Sequence, residues 1–243
     1  MRLALFSDVH GNAVALRAFL ADLDRAGADA VVCLGDAVQG GVQPDEVVDL
    51  LDTLGCPVVL GNADAFLLDP DAGEEEATEG QLAMRAWSVE RLGAARLERI
   101  RSYRPTVELD LGGAHALLAF HGSPRSYDDF LLPATAEGVF RELLGDKGRA
   151  TVLAGGHVHL QFLRRVGRAL FVNPGSVGFG YDHEQSEEGF RLDPWAAYAL
   201  VDLAGERLEV SFRRVPFDAA EVVRAIRESG APGADGAAAR WGG

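Results

Sequence analysis

The chain opens with a short apolar run followed by a segment with helical periodicity. Residues 3–6 are all apolar and predict a buried strand. Over residues 12–26, apolar side chains recur at intervals of three and four, as on one face of an amphipathic helix, and Gly27 marks the end of that helix. The same order returns at once, with a strand predicted at residues 30–34 and a helix beginning near Pro44. Alternation of this kind is typical of an α/β protein.

The pattern changes after a third predicted strand at residues 57–60. An acidic connection at residues 69–76 leads into a helix predicted from Gln81 towards Tyr103. We interpret this connection as a solvated loop, with a lid over a nearby site as the weaker alternative. Later elements are predicted as a hairpin of residues 106–111 and 114–120, a helix at 135–144, a strand at 150–154, a strand pair at 161–166 and 168–172, a hairpin of 195–203 and 207–215, and a helix at 217–228.

The domain organisation is predicted to be simple. The sequence contains no internal repeat and no linker, so we expect one domain over residues 1–229. Residues 230–243 are rich in glycine and alanine, and we expect them to form a disordered tail.

Composition narrows the classes of partner. A net charge of −14 argues against a nucleic-acid polymer, which requires a basic surface, but it allows a small anionic substrate where metal ions supply positive charge. Cys33 and Cys56 have no CxxC partner and are predicted to be buried, reduced thiols. No apolar run is long enough for a signal-peptide core or a membrane span, so we expect a cytoplasmic protein without membrane association. The sequence leaves the oligomeric state open.

Candidate chemistry lies where the predicted strands end. Asp8 and His10 are two residues apart in an extended segment, so their side chains point the same way. In open α/β sheets, ligands bind beyond the carboxyl ends of the strands. Five strand ends supply seven candidate residues: Asp8, His10, Asp36, Asn62, His121, His157 and His159.

The chemistry of these residues indicates divalent metal ions. Carboxylates, imidazoles and one amide, with no thiolate, suit Mn, Fe, Co, Ni or Zn better than they suit a structural zinc site. Seven ligands are too many for one such ion and suit two ions that share a carboxylate. A pair of ions can hold the attacking and leaving oxygens of a phosphoryl displacement. The sequence therefore predicts metal-assisted hydrolysis of a small phosphate ester.

The order of the motifs, Asp-x-His, Gly-Asp, Gly-Asn, His and Gly-His-x-His, resembles that of the calcineurin-like metallophosphoesterases. The resemblance runs from Asp8 to His159 and extends to the Asn173-Pro174-Gly175-Ser176 turn, and it is strongest to the small bacterial and archaeal phosphoesterases. It implies a four-layer α/β/β/α sandwich of two mixed β-sheets flanked by helices, with a dinuclear metal centre.

The resemblance also implies a role for each residue. One ion would be held by Asp8, His10, Asp36 and His159, and the other by Asp36, Asn62, His121 and His157. Asp36 would bridge the ions, Asn62 and His121 would act with it in catalysis, and a metal-bridging hydroxide would attack phosphorus. Asn62 and Asn12 would contact the substrate phosphate. Separately, Arg125 is a candidate phosphate contact, because a guanidinium can donate two parallel hydrogen bonds to one phosphate. An arginine exposed at the surface with no role in binding is an equally good interpretation.

One position departs from the family pattern. Many members have a histidine directly after Gly-Asn that assists the leaving group, whereas this chain has Ala63. General acid catalysis typically contributes roughly 10²–10⁴-fold, so its loss favours substrates with good leaving groups. Asp64 and His183 are candidates to replace this histidine. Simpler interpretations are that Asp64 caps the next segment and that His183 is a solvated histidine in a loop. Phosphodiesters are the first choice of substrate, and a phosphomonoesterase or protein phosphatase is the alternative. An alternative of a different class is a non-catalytic scaffold that binds another protein. Such a scaffold would be free to lose metal ligands, so the presence of all seven candidate residues disfavours it.

Overall fold

Strands and helices alternate along the chain in the computed structural model, which describes residues 1–72, 77–186 and 188–241. The strands are β1 (Arg2–Phe6), β2 (Ala30–Cys33), β3 (Thr106–Gly112), β4 (His115–Phe120), β5 (Val152–Ala154), β6 (Gln161–Val166), β7 (Ala169–Pro174), β8 (Trp195–Ala204) and β9 (Arg207–Pro216). The helices are α1 (Ala13–Ala26), α2 (Pro44–Leu54), α3 (Asn62–Leu68), α4 (Glu79–Arg101), α5 (Glu137–Leu144), α6 (Ala219–Glu228) and α7 (Ala234–Ala239).

The strands form two mixed sheets. The first has the order β2-β1-β8-β9, in which only the β1–β2 pair is parallel. The second has the order β3-β4-β5-β7-β6, in which β4, β5 and β7 are parallel to one another and the two edge strands are antiparallel to their neighbours. Parallel strands therefore lie at the centre of the second sheet and beside β1 in the first.

Alternation along β1 explains why the two sheets pack face to face. Leu3 and Leu5 enter a buried cluster that also contains residues of the second sheet, such as Val152. Ala4 and Phe6 point to the other side and pack with the helices, because successive side chains of a strand face opposite ways.

Helices cover both outer faces of the pair of sheets. The ring of Phe19 on α1 packs against Phe6 at 4.5 Å between centroids. On the far side, Phe140 on α5 packs against Phe171 of β7 at 5.2 Å. The predicted arrangement of two mixed sheets flanked by helices is confirmed.

One predicted strand was wrong, and the helix that follows it was not predicted. Val58 and Val59 form only isolated bridges, to Cys33 and Arg104, because Pro57 has no amide hydrogen to extend the ladder. Helix α3 then begins at Asn62 and has only seven residues, which is too short for a helical period to be recognised in the sequence.

The prediction of a disordered tail was wrong for residues 230–241. Helix α7 lies there, with Ala231 and Ala238 buried in a cluster with α6, and the Trp241 ring packs against Phe217 at 5.6 Å between centroids. Alanine is the best helix former, and in this segment its small side chains allow close packing.

The acidic connection lies partly outside the described residues, at 73–76, and its loop and lid interpretations stay predictions. The helix that follows it begins at a capping box, in which Thr78 and Gln81 each bond to the other's backbone. Among the described helices, none is long and apolar enough to cross a membrane.

Candidate active site

The candidate residues lie at the carboxyl ends of four strands. Asp8 and His10 follow β1, Asp36 follows β2, and His121 follows β4. His157 and His159 follow β5, while Asn62 is the first residue of α3. The structure therefore brings these residues to one edge of the paired sheets, as the strand pattern predicted. Their assignment as metal ligands stays a prediction.

Five of these residues have unusual backbone conformations. Among the described residues, the only non-glycine residues with positive φ are Asp8, His10, Asp36, His157 and His159, with φ between 47° and 69°. Such conformations cost roughly 1–3 kcal/mol each and persist only where the surrounding structure enforces them, typically at functional sites. The fold thus accepts a strained backbone to orient these side chains.

Two glycines allow the turns to approach each other. A Cβ atom on Gly61 would lie 2.1 Å from Oδ1 of Asp36. A Cβ atom on Gly156 would lie 2.0 Å from the Ser7 hydroxyl. Both distances are too short for any side chain, so glycine is required for the candidate residues to meet.

The first group consists of Asp8, His10 and His159, whose ligand atoms lie within 4.8 Å of one another. Nε2 of His159 lies 3.2 Å from Oδ1 of Asp8 and 3.2 Å from Nε2 of His10. Three potential ligand atoms therefore face one small space.

The second group consists of Asp36, His121 and His157. Nε2 of His121 lies 3.3 Å from Oδ2 of Asp36 and 3.0 Å from Oδ1 of Asn62, which adds an amide oxygen to this group. Oδ2 of Asp36 also lies 3.8 Å from Nε2 of His10. The carboxylate of Asp36 thus joins the two groups.

Backbone carbonyls orient three of the histidine rings. Nδ1 of His10, His121 and His159 lies 2.8–2.9 Å from the carbonyl oxygens of Gln39, Leu34 and Phe179, respectively. A carbonyl can only accept, so each Nδ1 carries the proton and donates. The Nε2 atoms then face the site as available ligands, the arrangement found around metal-binding histidines.

Burial and mutual charge shift the pKa values in the site. Burial alone would raise the pKa of Asp36 and lower the pKa of His121. Their attraction outweighs burial, so the pKa of Asp36 falls and the pKa of His121 rises to about 9. Burial and the charge of His121 lower the pKa of His157 to about 4. The site therefore combines ionised carboxylates with a histidine held neutral.

Two buried polar atoms of the site make no hydrogen bond within the described part of the chain. They are Oδ1 of Asp8 and Nε2 of His157. Leaving buried polar atoms unpaired is costly, and a bound cation would satisfy both. With carboxylate, imidazole and amide donors in two adjoining groups, the residues present fit divalent metal ions.

The residues that hold the site turns were not predicted as such. Asp64 is fully buried, and its two carboxylate oxygens accept the backbone N–H groups of Ala37 and Val38, at 3.1 and 3.0 Å, just after Asp36. It therefore supports the turn, and it does not cap its own helix. The amide of Asn173 donates to the carbonyl of Gly156 at 2.7 Å, in the turn before His157.

Ser176 completes this support. Its hydroxyl donates to the carbonyl of Asp8 at 2.8 Å and accepts the N–H of Phe179 at 2.8 Å. The only sequence signal for these contacts was the Asn173-Pro174-Gly175-Ser176 turn.

The remaining predicted residues have structural partners. The Asn12 side chain accepts the N–H of Ala15 as the cap of α1 and donates to the carbonyl of Gly178. Arg125 pairs with Asp129 at 3.0 Å. Their roles as phosphate contacts stay predictions.

A cavity of about 690 Å³ opens from the two groups of candidate metal ligands. His10, Asp36, Asn62 and His159 line one part of it, and Ala63 lies beside them. The aromatic residues Phe66, Phe179 and Tyr181 line it further on, and neither periodicity nor motifs in the sequence had indicated these three. A cavity of this size accommodates a small organic ligand.

Comparisons with known proteins agree with this geometry. Residues 1–193 match the family model of the calcineurin-like phosphoesterase superfamily domain. The uncharacterized protein MJ0912 of Methanocaldococcus jannaschii is 28% identical over 233 residues, covering 89% of this chain and 88% of that protein. A metallophosphoesterase from Sphaerobacter thermophilus has a similar structure, with 25% identity, a TM-score of 0.74, and coverage of 99% of this chain and 98% of that one.

A second solved structure is similar in fold. The hypothetical protein PH1004 from Pyrococcus horikoshii OT3 shares 22% identity at a TM-score of 0.81, again with 99% of this chain and 98% of that one covered. The family depends on metal ions, in keeping with the two groups of candidate ligands. The match over residues 1–193 establishes that the chain belongs to the calcineurin-like phosphoesterase superfamily.

Proposed function

We propose that the chain is a dinuclear metal-dependent hydrolase of phosphate esters, with phosphodiesters preferred. The observation that carries the proposal is the position of Asp36. One oxygen of this carboxylate lies 3.3 Å from Nε2 of His121 and 3.8 Å from Nε2 of His10, in the two different groups. A single anionic side chain is therefore within reach of both candidate ion positions.

The ligand sets follow from this arrangement. Asp8, His10, Asp36 and His159 would hold one ion, and Asp36, Asn62, His121 and His157 the other. When bound, two divalent ions would supply the positive charge that a phosphate requires in this acidic protein and would acidify the attacking water. We propose Mn²⁺ as the first ion to test, with Fe, Zn, Co and Ni as alternatives.

The chain's own residues then position and stabilise the phosphate. Asn62 begins α3, and its amide lies beside the other candidate ligands, with Oδ1 3.0 Å from Nε2 of His121. Asn62 would contact the phosphate as its negative charge develops.

Among the described residues, no proton donor for the leaving group follows Asn62, where many family members have a histidine. Ala63 lines the cavity there, and both oxygens of Asp64 accept backbone hydrogen bonds away from it. His183 is exposed and stacks on Tyr181 at 4.4 Å between centroids. Substrates whose leaving group departs without protonation are therefore favoured.

The test compares two esters with the same leaving group. Initial rates are measured with bis(p-nitrophenyl) phosphate and p-nitrophenyl phosphate, each with Mn²⁺ and with chelator, and bound metal is counted in the same preparation. We expect chelator-sensitive turnover, faster for the diester. Faster hydrolysis of the monoester would point to a phosphomonoesterase or protein phosphatase. Fewer than one bound ion per chain without turnover would refute the proposal and favour a protein-binding scaffold.

A further inference from the structure

The cavity next to the candidate metal site is much larger than a phosphate group. We infer that it binds a planar ring in the organic part of the phosphate ester, and that the C-terminal segment, residues 230–241, forms the far wall of this ring subsite. The inference rests on the proposed function for the position of the phosphate.

The first argument is continuity. One cavity of about 690 Å³ is lined both by His10 and Asp36 and by Ala231, Ala237 and Trp241 of the C-terminal segment. Small-molecule sites typically measure about 300–1,000 Å³. A ligand anchored by phosphate at the metal-ligand groups would therefore extend towards the C-terminal segment.

The second argument is the chemistry of the walls. The Phe179 ring lies 5.3 Å from His10 and 5.7 Å from His159 between centroids, and Tyr181 lies 5.8 Å from His159. Phe66 of α3 and Met84 of α4 also line the cavity. Aromatic rings and a methionine thioether pack favourably against the faces and edges of a planar ring.

The third argument is that the far wall is fixed to the same loop as the aromatic wall. The carbonyl of Arg240 accepts the N–H of Leu192 at 2.9 Å, and Arg191 donates from its guanidinium to the carbonyl of Ala239 at 3.2 Å. That loop runs back to Phe179 and Tyr181. The C-terminal segment is thus held in place at the cavity.

The amide oxygen of a buried glutamine in the same cavity also lacks a partner. Gln39 lines the cavity and is 6% exposed, and its Oε1 atom makes no hydrogen bond within the described residues. Burial of an unpaired amide is unfavourable, so a polar group of a ligand would satisfy it. A ring with polar edge groups, as in a nucleobase, uses this amide, whereas a plain aryl ring uses only the apolar walls.

Phosphonates test the ring subsite because they bind without being hydrolysed. Dissociation constants of phenylphosphonate, methylphosphonate and the non-hydrolysable 5′-methylenephosphonate analogue of adenosine 5′-monophosphate are measured by calorimetry on the Mn²⁺-loaded full chain. We expect phenylphosphonate to bind about tenfold or more tightly than methylphosphonate, as burial of one ring suggests. If the nucleotide analogue binds more tightly than phenylphosphonate, the preferred ring is a nucleobase. If phenylphosphonate binds more tightly, the preferred ring is an aryl group.

Two substitutions on one helix provide a matched pair. Ala237→Trp fills the cavity, whereas Ala239→Trp places the same side chain on an exposed position of α7 that does not line it. We expect Ala237→Trp to reduce the phenyl-to-methyl preference to about twofold or less while methylphosphonate binding stays unchanged, and Ala239→Trp to retain the preference.

The outcomes separate the inference from the proposed function. Equal binding of the two phosphonates, binding of neither, or a preference that survives Ala237→Trp would overturn the ring subsite, whatever the hydrolysis assays show. A preference that Ala237→Trp removes, in a protein that hydrolyses no ester, would support the subsite and count against the hydrolase.

Discussion

Nε2 of His10 and Nε2 of His159 face each other across 3.2 Å, with both side chains largely buried. Each ring already donates its Nδ1 proton to a backbone carbonyl. Two neutral rings in this arrangement would direct lone pairs at each other, which is unfavourable. A cation that binds both nitrogens, with Asp8 beside them, removes the repulsion.

Metal addition is therefore expected to stabilise the chain. A ligand at a hundredfold excess over its dissociation constant adds about 2.7 kcal/mol to the free energy of unfolding. For a chain of this size, that raises Tm by about 5–11 °C. Differential scanning fluorimetry of chelator-treated protein with and without Mn²⁺ measures the shift. His159→Ala should lose most of it, and His183→Ala, at an exposed position, should retain it; equal shifts in both variants would contradict the assignment.

Replacing Asp36 by asparagine tests the shared ligand. The asparagine keeps an oxygen that can accept the N–H of Ala63, as Oδ1 of Asp36 does at 2.8 Å, so the turn is preserved while the charge is lost. We expect one bound ion or fewer, and a decrease in kcat/KM on the order of 10³-fold. Metal analysis and initial rates measure both, with Asp49→Asn, a surface acid paired with Arg96, as the control. Wild-type turnover in Asp36→Asn would exclude the dinuclear assignment.

The sequence was informative where chemistry and periodicity coincide. Asp8 and His10 stand just beyond the apolar run of residues 3–6, and His157 and His159 stand likewise just beyond β5. The rule that parallel strands present their carboxyl ends at one edge then suffices to bring these residues together. Short-range pattern thus predicted the location of the site, whereas the two mixed sheets were implied by the resemblance to the calcineurin-like metallophosphoesterases.

The sequence was less informative where a residue acts through distant backbone. Asp64 bonds to amides 26 and 27 positions earlier in the chain, and no local pattern encodes such a contact. The C-terminal segment looked like a flexible tail because its composition is glycine and alanine rich. Its docking depends on Trp241 meeting Phe217, a tertiary contact that overrides composition.

Two histidines contribute opposite slopes to the pH dependence of stability in the metal-free chain. Asp64 adds a third contribution: burial and the charge of Asp36 raise its pKa to about 7, so this contribution is lost as the pH rises towards 7. The pKa of His121 is raised in the folded state to about 9 from an ordinary value of 6.5, so its contribution is fully present below pH 6.5 and is lost as the pH rises through 9. The pKa of His157 is lowered to about 4, so its contribution is present above pH 6.5 and is lost as the pH falls towards 4. From these two groups, stability should be greatest near neutral pH.

Urea unfolding of the metal-free chain at pH 5, 6.5 and 9.5 measures this profile. His121→Gln should remove the alkaline decline and leave the acid one. Metal loading should also flatten the alkaline side, since bound ions keep their ligands deprotonated. An unchanged alkaline decline in His121→Gln would show that another group causes it.

Asp64 is expected to matter for stability and, through the turn that it holds, for metal binding. Asp64→Ala leaves the N–H groups of Ala37 and Val38 buried without acceptors, at about 1–3 kcal/mol each. Urea unfolding should therefore show a loss of about 2–6 kcal/mol. Asp64→Asn should lose less, because one oxygen remains to accept one of the two N–H groups. Asp52→Ala, which removes an exposed ion pair with Arg99, should cost at most about 1 kcal/mol.

A second measurement separates support of the turn from stability alone. Asp36 directly precedes the amides that Asp64 holds, so release of this turn should also move the shared carboxylate. We expect Asp64→Ala to bind Mn²⁺ about tenfold more weakly at a temperature where the variant is fully folded, since loss of groups that orient metal ligands typically costs roughly 10–100-fold in affinity. Unchanged affinity with reduced stability would mean that Asp64 supports the fold but does not position Asp36.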